Sequence, residues 1–299
     1  MLTPEARFRR FARAVTTEVG ALDQSFLGRG RPLGAARVLN AVGHGLVDVA
    51  ALREYLRLDS GLMSRLLRSL EDEGLVAVVA DAQDGRRRTV ALTTAGRREF
   101  RAYETLSNAR ARAALARYPH RKRLLEALDL VATVLAADQV VIEAADPDDE
   151  TAQYCLAEYY TEVNARFANG FDVAQSVPPS RASLVAPLGT FLVAMSDGLP
   201  LGCVCVVGDG SGVGEIKRLW VAPAARGLGL GRRLMEQAED TARTLGVHTL
   251  RLDTNEALTE ARTLYERSGW VEIPRYNENP YAHWFFEKTL ARRSTRRAK

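Results

Sequence analysis

A chain of 299 residues, 46% apolar and 26% charged, is about twice the ~150 residues of one domain and ordinary for a folded protein, which excludes a largely disordered, collagen-like or disulfide-scaffold chain. The net charge of +4 conceals an asymmetry: residues 1–137 hold 23 Lys/Arg against 15 Asp/Glu, residues 138–291 hold 13 against 22, and five more cations sit in 292–299. Such asymmetry points to a nucleic-acid partner for the basic part.

In chain order, residues 5–24, 33–43, 47–55 and 59–73 carry apolar side chains at three- and four-residue spacing, which predicts helices. Leu75–Val79 and Arg88–Leu92 are short β-favouring runs around Ala80–Arg87, whose Asp84-Gly85 is a turn signal. Thr93 or Thr94 caps a helix over 95–116, and 120–137 forms another after Pro119. Helices, a hairpin and more helices make a mainly α winged helix-turn-helix layout. Within 59–73, Met63, Leu66, Leu67 and Leu70 form one buried stripe, and the opposite face presents Ser60, Gly61, Ser64, Arg65 and Arg68. Small residues let a helix enter the major groove, and arginine reaches guanine edges or phosphate. Asp84, Arg86 and Arg87 at the hairpin suit phosphate or minor-groove contact, with Asp84 orienting Arg86.

Gly61-Leu62-Met63-Ser64-Arg65-Leu66-Leu67-Arg68-Ser69-Leu70-Glu71, then Gly74-Leu75, Asp84-Gly85-Arg86-Arg87 and Leu92-Thr93-Thr94-Ala95-Gly96, resembles MarR-type transcription regulators over residues 5–137. The resemblance implies a homodimer that pairs through 5–24 and 95–137 and binds a double-stranded operator.

From about residue 138 the period changes. Gln139–Ala144 is a strand, Asp146-Pro147-Asp148-Asp149 opens a helix to about Phe167, and Phe171–Ser183, with Pro178 and Pro179, is a loop. Strands follow at 190–196, 201–207 and 214–221, then a helix at 229–245, a strand at 248–253, a helix at 257–268 and strands near 270–274 and 282–289: an α/β mixed sheet. The expected organisation is a domain at 1–137, a second at 138–291 and a basic tail at 292–299, with a tight junction near Asp138.

Arg226-Gly227-Leu228-Gly229-Leu230-Gly231-Arg232 follows a strand and opens a helix, but it is neither the dinucleotide fingerprint nor a P-loop. Such a turn brings backbone N–H groups to an anion, or simply starts a closely packed helix. Together with Glu215-Ile216-Lys217-Arg218-Leu219-Trp220-Val221-x-Pro before it, the turn resembles motif A of the GNAT (GCN5-related) N-acetyltransferases. Asn255 and Ala261-x-x-Leu264-Tyr265-Glu266-x-x-Gly269-Trp270 resemble motif B. The resemblance, over about 138–290, implies acetyl-CoA as cosubstrate. Its pyrophosphate would lie on 226–231, with Arg232 opening the helix, and its pantetheine arm along the backbone of Leu219–Val221. Asn255 would bond the arm or a bridging water, and strand 248–253 would splay away. It further implies direct attack of an amine on the thioester, with Glu215 as base and Tyr265 as acid. The bland readings are that Glu215 pairs with Lys217 or Arg218 and that Tyr265 is a core aromatic. Tyr276, Tyr281 and His283 are candidate acceptor contacts.

Cys155, Cys203 and Cys205 form no C-x-x-C pair, Cys203 and Cys205 share one face of a strand, and His44, His120 and His248 are isolated, so burial rather than a metal or redox role is expected. Met1–Arg10 lacks the apolar core of a secretory signal and no apolar run reaches ~20 residues, so a cytoplasmic chain without a membrane partner is expected. The leading reading is a transcription regulator that is also an acetyl-CoA-dependent N-acetyltransferase acting on a small amine or protein lysine. Its rivals are a regulator that senses acetyl-CoA without turnover, and an enzyme whose helical half serves dimerisation only. The net acidity of 138–291 favours cationic acceptors.

Overall fold

The computed structural model describes residues 3–80, 87–176 and 178–291. The chain divides into two compact units, 1–124 and 125–299.

In the first unit the elements are α1 (Pro4–Glu18), α2 (Leu33–Gly43), α3 (Val49–Leu56), α4 (Ser60–Asp72), β1 (Val76–Ala80), β2 (Arg88–Leu92) and α5 (Thr94–Ala116). Helix α2 is apolar nearly all round and buries Ala35, Ala36, Val38, Leu39, Ala41 and Val42, so it forms the centre of the unit. Asp48 and Asp59 N-cap α3 and α4, accepting from the amides of Ala51 and Leu62 at 2.8 Å each. Between them Arg57 adopts the left-handed region that reverses the chain. Of the two candidate caps of α5 the fold uses Thr93, whose Oγ1 accepts from Gly96 N at 3.0 Å and donates to Gly74 O at 2.7 Å. Gly96 is required there, because a Cβ would stand 1.9 Å from the Leu75 carbonyl oxygen. Strands β1 and β2 pair antiparallel from Val76↔Leu92 to Ala80↔Arg88. The first helix is shorter than the apolar spacing predicts: it ends at Glu18, and Gly20 follows at φ 67°. The spacing beyond it continues, but a left-handed glycine turns the chain out of the helix.

The division between the units falls inside α6 (Arg121–Leu135), whereas the change of sequence period falls near residue 138. The second unit continues with β3 (Val141–Ala145), α7 (Glu150–Arg166), β4 (Thr190–Ser196), β5 (Leu199–Gly208), β6 (Val213–Val221), α8 (Leu230–Thr244), β7 (Thr249–Thr254), α9 (Thr259–Arg267), β8 (Val271–Glu272) and β9 (Trp284–Thr289). The sheet order is β3-β4-β5-β6-β7-β9-β8, and only β6–β7 is parallel. Strand alternation sorts the core into two layers. Phe191, Val193, Cys203 and Cys205 pack with Ala152 and Cys155 of α7. Leu192, Ala194, Val204 and Val206 pack with Leu230, Leu234, Met235 and Ala238 of α8. The expected loop 171–183 holds a 3-10 turn at Val173–Ser176, and a second, Arg181–Leu184, runs one residue past its end. Among the described residues no helix is long and apolar enough to cross a membrane.

Candidate functional sites in the two units

Strands β6 and β7 pair only over Val213–Glu215 and Thr249–Arg251. Beyond Glu215 the two strands part, because β6 carries a bulge: Cys203 faces Trp220 and Cys205 faces Lys217, so Arg218 and Leu219 together oppose Val204. Arg218 takes φ 57° at that bulge. Unpaired edges inside a sheet need hydrogen-bond partners, and an extended polar ligand supplies them.

One end of the opening is a groove of about 470 Å³, lined by Leu219, Trp220, Val221, Arg226, Gly227, Gly229, Leu230, Gly231 and Arg232 together with residues of α7 and α9. Gly227 and Gly229 stand at φ 77° and 79°, with nothing within 4 Å of where a Cβ would be. Glycine is required at both positions by conformation and not by close packing, and the backbone there is open to approach. Gly229 is the N-cap of α8 and offers no side-chain cap, so the first N–H groups of the helix have no partner there. Arg226 closes the turn onto the sheet: its Nε donates to Val221 O at 3.0 Å and its Nη2 pairs with Glu162. Arg232 is exposed, 3.7 Å from Glu236. Leu228 is exposed and outside the groove lining.

The other end is a smaller cleft of about 70 Å³. It shares Tyr159, Leu219, Leu258 and Ala261 with the groove and adds Lys217, Arg218, Asp253, Asn255, Tyr265 and Tyr281. Tyr265 is buried, and burial, with Tyr159 and Asp253 nearby, pushes its hydroxyl well above the usual phenol range, so it carries its proton throughout neutral pH. Glu215 lies at the vertex, outside the cleft lining, 3.0 Å from Lys217 Nζ, which lies 3.8 Å from Asp253. Asp253 is the carboxylate that lines the cleft, and sequence reasoning passed over it. Its Oδ1 and Oδ2 accept from Asn277 and Asn279 at 2.9 and 2.6 Å. The one signal was an acidic residue in the otherwise alternating strand Leu250–Thr254. Asn255 has both ends engaged: Nδ2 donates to Tyr281 O at 2.7 Å and Oδ1 accepts from Ala257 N at 2.9 Å. The rings of Tyr281 and Phe171 lie tilted at 46°, centroids 4.8 Å apart, at the cleft wall. Tyr276 is half-buried beside Glu215 with its hydroxyl covered, and burial and that carboxylate push the hydroxyl up. His283, 3.8 Å from Glu256, lies outside the cleft lining.

In the first unit Ser60, Gly61, Ser64, Arg65 and Arg68 are all exposed on one side of α4, while Met63, Leu67 and Leu70 are buried on the other. Ser60, Ser64, Arg53, Arg87 and Arg88 line one concavity beside β2, and Arg87 lies 4.0 Å from Asp48. Asp84 and Arg86, and the basic tail 292–299, lie outside the described residues.

Residues 156–270 match the acetyltransferase (GNAT) family and residues 29–87 match the MarR family. An IAA acetyltransferase of Azospirillum brasilense is 38% identical over 112 residues, which are 36% of this chain and 72% of that protein. An uncharacterized N-acetyltransferase of Schizosaccharomyces pombe is 40% identical over 96 residues, 31% of this chain and 59% of that one. A solved GNAT-family acetyltransferase from Staphylococcus aureus Mu50 is 16% identical, with TM-score 0.44, over 51% of this chain and 99% of its own. With its second unit built as a mixed sheet opened between two parallel strands, the chain belongs to the GNAT family of N-acetyltransferases, and it carries a MarR-family domain ahead of that fold.

Proposed function

We propose that this chain is a DNA-binding transcription regulator that also transfers the acetyl group of acetyl-CoA to an amine. The observation that carries the enzymatic part is the continuity of the glycine-turn groove with a cleft holding a buried protonated phenol and a carboxylate. In this reading the turn 226–231 and the free N–H groups of α8 hold the pyrophosphate, and the unpaired edge of β6 at Leu219–Val221 pairs with the pantetheine arm. The amine nitrogen bonds to the thioester carbonyl carbon and the carbon–sulfur bond breaks. Asp253 takes the proton that the amine loses, Tyr265 gives its proton to the departing thiolate, and N–H groups of β6 meet the charge on the carbonyl oxygen. Glu215, first expected as the base, acts through Lys217 and fixes the position of Asp253. Asn255 ties the Tyr281 segment to the cleft rim.

The DNA-binding part rests on the exposed polar face of α4 and the adjacent cations. We infer a homodimer, since α1 buries none of its residues and leaves Phe8 57% exposed, with Leu22 beyond it 86% exposed. A thiol-release assay with acetyl-CoA over a panel of amines tests the enzyme: turnover is expected, and binding of acetyl-CoA without release of thiol over the whole panel reduces this unit to a sensor. Gel-shift titration against the DNA flanking the coding region tests the regulator. Arg65→Ala with Arg86→Ala is expected to weaken binding and lower the salt slope by about two; no binding before substitution leaves the helical unit a dimerisation element.

A further inference from the structure

The cleft holds a cation that the transfer chemistry leaves unused. Arg218 sits at the β6 bulge in the left-handed region, a conformation that non-glycine residues keep only where the surroundings impose it and that gathers at functional sites. Its Nη2 donates to the hydroxyl of Ser176, which is itself buried, at 3.3 Å, and its guanidinium lies 5.5 and 5.3 Å from the ring centroids of Tyr159 and Tyr160. The ion pairs of the cleft belong to Lys217, with Glu215 and Asp253, and Arg218 forms none among the described residues. Both oxygens of Asp253 are already held by asparagine amides. A guanidinium keeps its charge under all ordinary conditions, and a half-buried cation without a carboxylate is stabilised by a ligand that brings one.

We propose that Arg218, positioned by Ser176, whose own hydroxyl donates to Val173 O at 2.8 Å, binds a carboxylate of the acetyl acceptor, so that the acceptor is a small amino carboxylate. The proposal rests on the acetyl-transfer reading above and names its substrate class. Lys217 answers the two carboxylates, so the charges of the cleft balance once Arg218 is counted, and a zwitterion leaves that balance intact. A polyamine sets a second ammonium against Arg218. The net acidity of 138–291, which by itself favours cationic acceptors, is therefore cancelled at the cleft. Phe167, Phe171 and Tyr281 wall the cleft with aromatic surface.

The experiment pairs each protein amino acid and β-alanine with its own carboxamide, adds putrescine and spermidine, and measures thiol release by the full chain with acetyl-CoA. For the best acceptor the carboxylate is expected to exceed its carboxamide in kcat/KM on the order of 30-fold, the value of a charge-assisted contact. Arg218→Gln is expected to bring that ratio to about unity by raising KM, and Arg218→Lys, which keeps the charge and loses the fork, to fall between. Acetyl-CoA binding measured by calorimetry reports that each variant is folded. Carboxamides or polyamines used as well as the carboxylates overturn the proposal and leave acetyl transfer standing; so does a carboxylate preference that survives Arg218→Gln. If no amine is turned over, the transfer reading fails by itself, and calorimetry of the CoA-saturated chain with the same amino carboxylates decides this one. Binding lost in Arg218→Gln supports it, and binding by none overturns it.

Discussion

Glu99 joins charged side chains from distant parts of the MarR-family domain: it accepts from Arg29 Nη2 at 2.6 Å and from Arg31 Nη1 at 2.8 Å, and Arg31 in turn reaches Glu73 at 2.6 Å. The hydrogen bond from Arg29 holds the Glu99 carboxyl below its ordinary 4.5, against burial, which acts the other way. The unfolded chain therefore takes up this proton at higher pH than the folded one. The stability that Glu99 contributes is present above pH 4.5 and is lost as pH falls through the depressed value. Glu99→Gln is expected to cost about 1–3 kcal/mol at neutral pH and to flatten the acid limb of stability, as read by urea unfolding followed by circular dichroism; an unchanged limb contradicts the assignment. In the cleft, the proposed acid role predicts that Tyr265→Phe lowers kcat about 100-fold with acetyl-CoA affinity kept. Unchanged kcat removes Tyr265 from the chemistry.

At the scale of elements, local capping explains where most helices start. Asp59→Ala leaves the Leu62 amide of α4 unpaired and is expected to cost about 1 kcal/mol, with operator affinity falling in step. A loss of affinity without a loss of stability would instead make Asp59 a DNA contact. The turn before α8 is the reverse case, since its glycines serve conformation and access. Gly229→Ala places a Cβ at φ 79°, costs about 1–2 kcal/mol and should weaken acetyl-CoA more than tenfold by calorimetry, while an unaltered affinity excludes the turn from the cofactor site. The α4 face, the α8 turn and Tyr265 were legible because each is a local signal: period, glycine spacing, or a residue inside a motif. Asp253 was not. Its role depends on Asn277 and Asn279, about 25 positions away, and no local pattern records a carboxylate held by amides of a later loop. Arg218 stands within a motif, but its placement depends on a bulge that one strand cannot reveal.

For the whole molecule, a MarR-family domain and an acetyltransferase domain share one chain, and the division between the units falls within the continuous helix α6. That continuity is the ground for expecting linkage: acetyl-CoA with its acceptor should shift operator affinity about 5-fold or more. Equal affinity with and without both, in fluorescence anisotropy at fixed salt, excludes coupling. The exposed apolar side chains of the N-terminal segment predict a dimer by analytical ultracentrifugation, and Phe8→Glu with Leu22→Glu should shift it toward monomer.

By itself, the sequence determined the two fold classes, the order of their elements and the glycine turn that opens α8, because periodicity, capping and glycine spacing are near-neighbour properties of a chain. Only the tertiary structure decided which carboxylate faces the cleft, which lysine holds it and which arginine is left without a carboxylate. Those are outcomes of strands parting and a loop folding back, and charge pairing across such distances is set by the packed backbone, not by the order of residues along it.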